Sequence, residues 1–284
     1  MRRITGRVLA ILLVPTCASA GLADYPADLS KWVRTRPPEV GDDRWFDANQ
    51  DIGHQWIVFL HRDRPSVRLR SAKRQKGSPY PERQESYPPM PFVIEQGSSA
   101  DGLAGEWFST RVSDGWLVGF NAGEWGGAIW WYAPDGKERY KVSTDQVIGF
   151  FKTGAGLVAP EGLDKRGRIV RLIKGGNGRW HSEPFVDLGG GPEAAAMGID
   201  GSLTVATEDR LLRIHLDTRG IDVLLKESCW AGLYPNSIIL APSGSVYLGM
   251  RHVVVEVKKE GAAYKAKWLI PNPEFDRPPR EGIR

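Results

Sequence analysis

The fold of this chain is decided by one stretch of sequence, PEAAAMGIDGSLTVATEDRLLRI, which occupies residues 192–214. It aligns without a gap on PNSIILAPSGSVYLGMRHVVVEV at residues 235–257, an offset of 43 positions. The aligned positions keep a turn glycine and apolar residues at alternating places. These matches are Gly201 with Gly244, Leu203 with Val246, Val205 with Leu248 and Ile214 with Val257. Conservation of both features within one chain indicates an internal structural repeat.

A second pair of repeats precedes the first. Residues 106–132 align on residues 146–172 at an offset of 40. The four units therefore begin near Glu106, Gln146, Glu193 and Asn236. Each contains short apolar runs separated by glycine turns, a pattern typical of the four-stranded antiparallel blades of a β-propeller. The sequence predicts an all-β propeller, most simply with five blades, and four or six blades are the alternatives.

The fifth blade is predicted from weaker signals within residues 45–97. Residues 56–60 form an apolar run, residues 67–70 alternate between apolar and basic, and residues 91–95 are a candidate further strand. The basic, proline-rich residues 71–91 then form a long loop. No stretch shows helical periodicity with capping signals at both ends, so no helix is predicted.

The N-terminus has the features of an export signal. Three arginines (Arg2, Arg3 and Arg7) precede an apolar run at residues 8–14, and Ala18-Ser19-Ala20 follows as a cleavage motif. We expect cleavage after Ala20 and a periplasmic or secreted protein without a transmembrane span. The predicted organisation is a signal peptide at residues 1–20, a lead segment at 21–44, a single propeller domain at 45–275 and a disordered tail at 276–284.

The charge balance argues against one class of function, and the cysteine count argues against an internal disulfide. The formal net charge of the whole chain is +4. Three of the arginines lie in the predicted signal peptide, so the net charge of the mature chain is close to zero. That balance argues against nucleic-acid binding. Of the two cysteines, cleavage also removes Cys17, which leaves Cys229 without an internal disulfide partner.

The opening of the last unit, Pro235-Asn236 followed by an apolar strand, a Ser-Gly turn and a second apolar strand, resembles the repeats of NHL and SMP-30/gluconolactonase-like propellers. In the SMP-30 branch the equivalent Asn is one of the divalent-metal ligands at the mouth of the central channel. The resemblance therefore implies a propeller fold, and for Asn236 a place at such a site. It also implies lactonase or esterase activity as one possible function.

Topology predicts one functional face. In a four-stranded meander, the first residue of the innermost strand lies at the same end as the loop between the second and third strands. Two carboxylates and two amides occupy those first positions: Glu106, Gln146, Glu193 and Asn236. Oxygen ligands of this kind suit Ca²⁺ or Mg²⁺, so we predict a divalent-cation site at the channel mouth. The alternative is that these polar groups bind water or cap strand ends.

The loops between second and third strands supply further candidates at that face. Residues 120–127 and 160–167 are predicted as long loops, and the corresponding loops of the last two units as tight turns. The predicted ligand-face residues are Glu124, Trp125, Glu161, Asp164, Arg251 and His252. Carboxylates beside His252 and Arg251 suit an acid–base or substrate-carboxylate site, and the alternative is a solvated polar rim.

Two functional hypotheses follow. In the first, an exported propeller binds a small molecule, a glycan or a protein partner on this face. In the second, a cation held by Glu106, Glu193 and Asn236 polarises the carbonyl of a lactone or ester. The first is favoured because no complete catalytic set is found, and fold resemblance alone does not establish an activity.

Overall fold

The structure is a computed structural model that describes residues 27–70 and 89–276. The predicted signal peptide, residues 71–88 of the predicted basic loop and residues 277–284 of the predicted tail lie outside the described residues.

Strands dominate the described residues. In chain order they are β1 (Val33–Thr35), β2 (Trp56–His61), β3 (Arg64–Leu69), β4 (Glu106–Val112), β5 (Gly115–Asn121), β6 (Gly127–Tyr132), β7 (Arg139–Ser143), β8 (Phe151–Thr153), β9 (Gly156–Leu163), β10 (Arg166–Lys174), β11 (Trp180–Asp187), β12 (Pro192–Met197), β13 (Leu203–Thr207), β14 (Arg210–His215), β15 (Gly220–Lys226), β16 (Ser237–Leu240), β17 (Val246–Gly249), β18 (Val254–Glu260) and β19 (Ala263–Ile270). Helix α1 covers Asp43–Gln50, and short 3-10 turns cover Leu29–Lys31, Gly123–Trp125, Ser228–Trp230 and Pro273–Asp276.

The strands form four antiparallel meanders, which confirms the predicted β-propeller. Blade I is β4–β7, blade II is β8–β11, blade III is β12–β15, and blade IV is β16–β19 with β1 paired to the outer edge of β19. The two-stranded β2–β3 sheet is the fifth unit, here called the hairpin unit. The chain is therefore an all-β propeller of about five blades.

Apolar clusters between neighbouring blades hold the ring together. Leu117 and Val170 belong to the cluster between blades I and II, Val158 and Val205 to that between II and III, and Leu248 to that between III and IV. All five side chains are at most 1% exposed. Burial of this kind contributes roughly 25 cal/mol per Å² of apolar surface, so the blade interfaces are the main source of stability.

The 43-residue repeat is also a repeat of strand register. Leu203 of β13 lies opposite Ile214 of β14, and Val246 of β17 lies opposite Val257 of β18. Each pair is buried, with at most 2% exposure. The same inward-facing positions are therefore used in blades III and IV, as the alignment predicts.

The inner strand of blade II departs from its repeat partner. In blade I, Glu106 pairs directly with Asn121, and β4 continues to Val112. In blade II the equivalent pairing is a single bridge between Val147 and Glu161, and the strand resumes only at Phe151. The offset of 40 therefore holds for the second strands but not for the whole inner strand.

The fifth unit is smaller than predicted. Residues 56–60 and 67–69 do lie in strands, but residues 91–95 form no strand. Phe92 stacks on Tyr132 of blade I with ring centroids 5.6 Å apart, and Ile94 is 9% exposed. Side-chain packing on the flank of blade I replaces the pairing that a further strand would have needed.

Helix α1 was not predicted. Asp42 caps its N-terminus by accepting a hydrogen bond from the Trp45 amide at 2.6 Å, which is an ordinary N-cap interaction. The helix has only eight residues and Ala48 is its buried position, so it has too few turns to give a periodic apolar signal.

The N-terminal segment closes the ring on blade IV. The Trp56 amide donates to the Met250 carbonyl at 3.0 Å, and the Val58 amide donates to Ser237 Oγ at 2.9 Å. Ser237 is 8% exposed, so this hydroxyl joins the hairpin unit to the inner strand of blade IV in a buried place. The hairpin unit meets blade I through the ion pair of Arg70 with Glu106, 3.4 Å apart.

We expect Ser237→Ala to lower the free energy of unfolding by roughly 1 to 3 kcal/mol, because it leaves the buried Val58 amide without its acceptor. Thermal or urea unfolding of the purified protein measures the change. Lys258→Ala, at an exposed position of the same blade, is the control and is expected to change it by less than about 0.5 kcal/mol. Equal stability of the two variants would show that this hydrogen bond does not close the ring.

Candidate functional site

The strand register places the predicted functional residues at one end of the blades. Glu106 pairs with Asn121 at the end of β5, and the Asn236 amide donates to the Gly249 carbonyl at the end of β17, at 2.9 Å. The first residues of the inner strands therefore lie beside the loops that join second and third strands.

An open groove of about 1320 Å³ lies at this end of the molecule. Its walls come from three consecutive blades: the β5–β6 loop of blade I, the β9–β10 hairpin and β11 of blade II, and the segments around Gly189 and Glu208 next to blade III. Four predicted site residues line it, namely Glu124, Gln146, Glu161 and Asp164. A concave site with a few fixed polar groups is the usual form of a ligand site.

The β9–β10 connection differs from the predicted long loop. Residues 160–163 and 166–167 belong to the paired strands, and only Asp164 and Lys165 form the turn. Asp164 has φ of 54°, a left-handed conformation that a tight two-residue turn needs. Extended pairing brings Glu161 directly opposite Arg168, so the hairpin forms a rigid wall of the groove.

Glu161 and Arg168 line the groove and belong to an ionic network with Asp145, which is here called the floor of the groove. Arg168 donates through Nε to Oε1 of Glu161 and through Nη2 to Oδ1 of Asp145, the latter at 3.1 Å. Asp145 Oδ2 also accepts a hydrogen bond from Ser182 Oγ. The side chains of Asp145 and Glu161 are 7% and 11% exposed, whereas that of Arg168 is 44% exposed. Two nearly buried carboxylates therefore share one guanidinium group.

This arrangement perturbs the titration of Glu161. Burial raises the pKa of the Glu161 carboxyl, and the nearby Asp145 charge raises it further. Arg168 acts in the opposite direction but does not cancel the other two effects. Perturbed carboxyl groups in a cleft are candidates for functional sites.

Glu124 lines the groove on the side of blade I, and Trp125 follows it in the chain. Both lie in the 3-10 turn that begins at Gly123 and is capped by Gly126, two glycines with φ of 62° and 85°. The Ala122 amide donates to the Gly126 carbonyl at 2.8 Å, which closes the loop. The Trp125 side chain is 72% exposed, so this loop holds a large aromatic ring in solvent beside the groove.

Arg251 and His252 lie in the β17–β18 turn of blade IV and do not line the groove. His252 Nδ1 lies 2.9 Å from Asp51 Oδ2, and the other Asp51 oxygen lies 2.7 Å from His54 Nδ1. Arg251 donates to the Asn49 carbonyl at 2.6 Å. Both residues thus hold the end of helix α1 against the turn between β17 and β18.

Asp51 is the centre of this second cluster. Burial disfavours its charged form, but the hydrogen bonds with His252 and His54 outweigh burial, and the pKa of the Asp51 carboxyl lies well below its usual range. A carboxylate with a donor on each oxygen is fully satisfied, which is the condition for stable burial of a charge.

The predicted cation ligands are distributed as follows. Glu106 is paired with Arg70, Gln146 lines the groove with its amide nitrogen 3.4 Å from the Gly162 carbonyl, and Asn236 is 6% exposed. Glu193 is the second residue of β12. Within residues 27–70 and 89–276, no three His, Cys, Asp or Glu side chains are grouped so that they could hold a metal ion. The four-residue cation site stays a prediction.

Sequence reasoning missed Asp145, Arg168 and Ser182 on the floor, and Asp51 and His54 in the second cluster. Asp145 and Arg168 are 23 residues apart and Asp51 and His252 are 201 apart, so neither pair has motif spacing. For Arg168 one signal existed: the glycines Gly162 and Gly167, which lie opposite each other, would have predicted a tight hairpin with Arg168 facing Glu161.

Solved structures with a similar fold are β-propellers. Virginiamycin B lyase from Staphylococcus aureus is 15% identical, with 59% of this chain and 56% of the lyase covered and a TM-score of 0.40. An auxiliary nutrient binding protein from Bacteroides thetaiotaomicron is 12% identical, with coverage of 53% and 38% and a TM-score of 0.37. A protein described as a 6-phosphogluconolactonase, from Bacteroides uniformis, is 11% identical, with coverage of 63% and 59% and a TM-score of 0.39.

The aligned region spans little more than half of the lyase. No protein-family model matches this sequence, and no curated protein matches it. None of the helices in the described part of the chain is long and apolar enough to cross a bilayer.

We expect Asp51→Asn to lower the free energy of unfolding at pH 7 by about 2 kcal/mol, because the charged acceptor of two imidazole groups is lost. A carboxyl group with a lowered pKa stabilises the fold above its unfolded pKa of about 4, and this stabilisation disappears as the pH falls through the lowered value. The difference between the two proteins should therefore persist down to about pH 4 and shrink below it.

Urea unfolding between pH 3 and pH 8 measures that difference. Asp47→Asn, on the exposed side of the same helix, is the control and should behave as the unmodified protein. A difference that grows as the pH falls below 4 would contradict this account of Asp51.

Proposed function

We propose that this chain is an exported binding propeller that holds a small polar ligand in the groove over blade II. The observation that carries the proposal is the ionic floor, in which Arg168 is fixed by Glu161 and Asp145 at the bottom of a groove of about 1320 Å³. The predicted signal peptide supports export, with a periplasmic or secreted location.

The energetics of buried charge favour a role in binding for this network. Removing carboxylates from water costs several kcal/mol each, and attraction within a buried pair does little more than offset that cost. Apolar residues would stabilise the same place at least as well. Charged groups that are preorganised in a groove are instead suited to recognise a ligand, since their orientation is fixed before binding.

The geometry suits reversible binding of a polar molecule. Blade hairpins with regular pairing form the walls, and Gln146, 9% exposed, adds an amide at the edge of the floor. The rim carries exposed charges from separate blades, including Glu124 and Glu208. A ligand that spans the groove would contact both rim residues and the floor.

A thermal-shift and calorimetric screen tests the proposal. The panel contains glucose, N-acetylglucosamine, amino acids, alkyl diamines, dicarboxylates, Ca²⁺ and Mg²⁺. A ligand that binds the folded state at about 100 times its dissociation constant stabilises it by about 2.7 kcal/mol. For a domain of this size that stabilisation raises the melting temperature by roughly 5 to 10 °C.

We expect the double variant Glu124→Ala/Glu208→Ala to bind the responding ligand about 5- to 10-fold more weakly, because exposed charges contribute roughly 0.2 to 1 kcal/mol each. Glu138→Ala is the matched control, since Glu138 is equally exposed but lies in the β6–β7 turn at the other end of blade I. Equal affinity in all three proteins, or no response to any member of the panel, would contradict binding in this groove.

A further inference from the structure

The floor of the groove carries more negative than positive charge. Arg168 is the one cation hydrogen-bonded to both Asp145 and Glu161, and both carboxylates are about nine-tenths buried. A buried carboxylate is unfavourable unless it is paired and hydrogen-bonded. The network is therefore one positive charge short of balance.

Glu161, rather than Asp145, is the carboxylate that lacks a second hydrogen-bond donor. Asp145 has donors on both oxygens, Arg168 on Oδ1 and Ser182 on Oδ2. Glu161 receives one hydrogen bond, through Oε1, and no described residue donates to its other oxygen. Because Glu161 lines the groove, that oxygen is in a position to accept a hydrogen bond from a ligand.

The lining of the groove as a whole has the same sign of charge. Five carboxylates line it against three basic side chains. The acidic residues are Glu124, Glu161, Asp164, Asp187 and Glu208, and the basic residues are Lys165, Arg166 and Arg168. A concave surface lined mainly by one sign of charge raises the local concentration of ligands of the opposite sign.

Trp125 adds an independent indication of a cation. Other aromatic rings on the blades already have basic partners: Arg179 lies over Tyr140 at 4.0 Å, and Arg219 lies over Phe185 at 4.8 Å. No described Lys or Arg lies over Trp125, which stands 72% exposed between the groove residues Glu124 and Gly126. A tryptophan face attracts organic cations more strongly than other side-chain rings do.

We propose that the ligand of this groove is a small organic cation, an alkyl amine or guanidinium compound whose charged group binds Glu161 beside Asp145 while Trp125 covers its alkyl chain. This inference rests on the proposed function and specifies its ligand class. An organic cation fits better than a metal ion because the site combines a carboxylate oxygen with an exposed aromatic ring.

Isothermal titration calorimetry with three five-carbon probes tests the proposal. The probes are cadaverine, 1,5-pentanediol and glutarate. They share a chain length and differ in the charge of their ends. We expect cadaverine to bind at pH 7 and low salt, with pentanediol and glutarate at least 10-fold weaker. Glu161→Gln, which keeps the shape but not the charge, should weaken cadaverine binding by at least 10-fold.

Two further variants keep the test decisive if Glu161→Gln does not fold. Trp125→Leu alters an exposed side chain and should weaken cadaverine about 3- to 5-fold while leaving the melting temperature unchanged, as expected for loss of a cation–π contact. Glu138→Gln, at the other end of blade I, should have no effect on binding. Cadaverine affinity equal in all variants would overturn the proposal.

The pH dependence of affinity is a separate prediction. The charged groups facing Glu161 are Arg168 on the neighbouring strand and Asp145, and burial with the Asp145 charge raises the pKa of Glu161. A lower pH therefore protonates Glu161 and removes the charge that binds the amine. Cadaverine affinity should therefore fall as the pH is lowered through the raised pKa of Glu161, and Glu161→Gln should remove this dependence.

Failure of the ligand class and failure of the groove give different results. Binding of pentanediol or glutarate that depends on Glu124 and Glu208 would overturn the cation but keep the groove as the site. A response to Ca²⁺ that Glu161→Gln abolishes, without a response to cadaverine, would assign the missing charge to a metal ion and overturn the organic ligand. Binding of a sugar or an amino acid from the wider panel without binding of cadaverine would overturn the cation alone, and no response to any member of that panel or to these probes would overturn both proposals.

Discussion

Closure of the ring depends on one constraint. Residues 33–61 must form hydrogen bonds with both edges of blade IV. β1 pairs with β19 at the outer edge, and the Trp56 and Val58 amides bond to Met250 and Ser237 at the inner edge. The hairpin unit has only two strands, so it cannot bury both of its faces alone. Ring closure therefore joins parts of the chain about 180 residues apart, as the Val58–Ser237 hydrogen bond shows. Contacts of such long range are formed late in folding, because the entropy of loop closure must be overcome first.

Closure at this seam leaves the opposite side of the ring available for a site. Blades I, II and III are complete four-stranded meanders joined by apolar cores, so the loops at their ends have rigid supports. The groove lies over those three blades, whereas the Asp51 cluster lies at the seam. Sites built on rigid elements keep their polar groups in fixed geometry. The Asp51 cluster therefore lies where the ring is closed, and the groove lies over blades that are complete four-stranded meanders.

Contacts between residues close in sequence are easier to predict from the sequence than contacts between residues far apart in it. The spacing of Leu203, Ile214, Val246 and Val257 predicts both the blades and their register, because each pair is separated by a short hairpin whose pleat repeats. Glu161 lies in the β9–β10 hairpin and Asp164 in its turn, and both line the groove. His252 was assigned to a ligand site because nothing near it in sequence reveals Asp51, 201 residues away. Residues 91–95 were assigned to a strand because β-propensity does not distinguish a paired strand from an irregular segment that packs on a blade.

The two carboxylate clusters differ in how many hydrogen-bond donors each carboxylate has. This difference distinguishes a structural cluster from a candidate ligand site. Asp51 has a histidine nitrogen on each oxygen, and its pKa is lowered despite burial. Glu161 shares one arginine with Asp145, and its pKa is raised. A fold gains from the first arrangement, since the charge is compensated within the chain. The arrangement at Glu161 costs free energy, since one of the two negative charges has no positive partner within the network. A proton or the proposed cationic ligand would supply the missing positive charge at this groove.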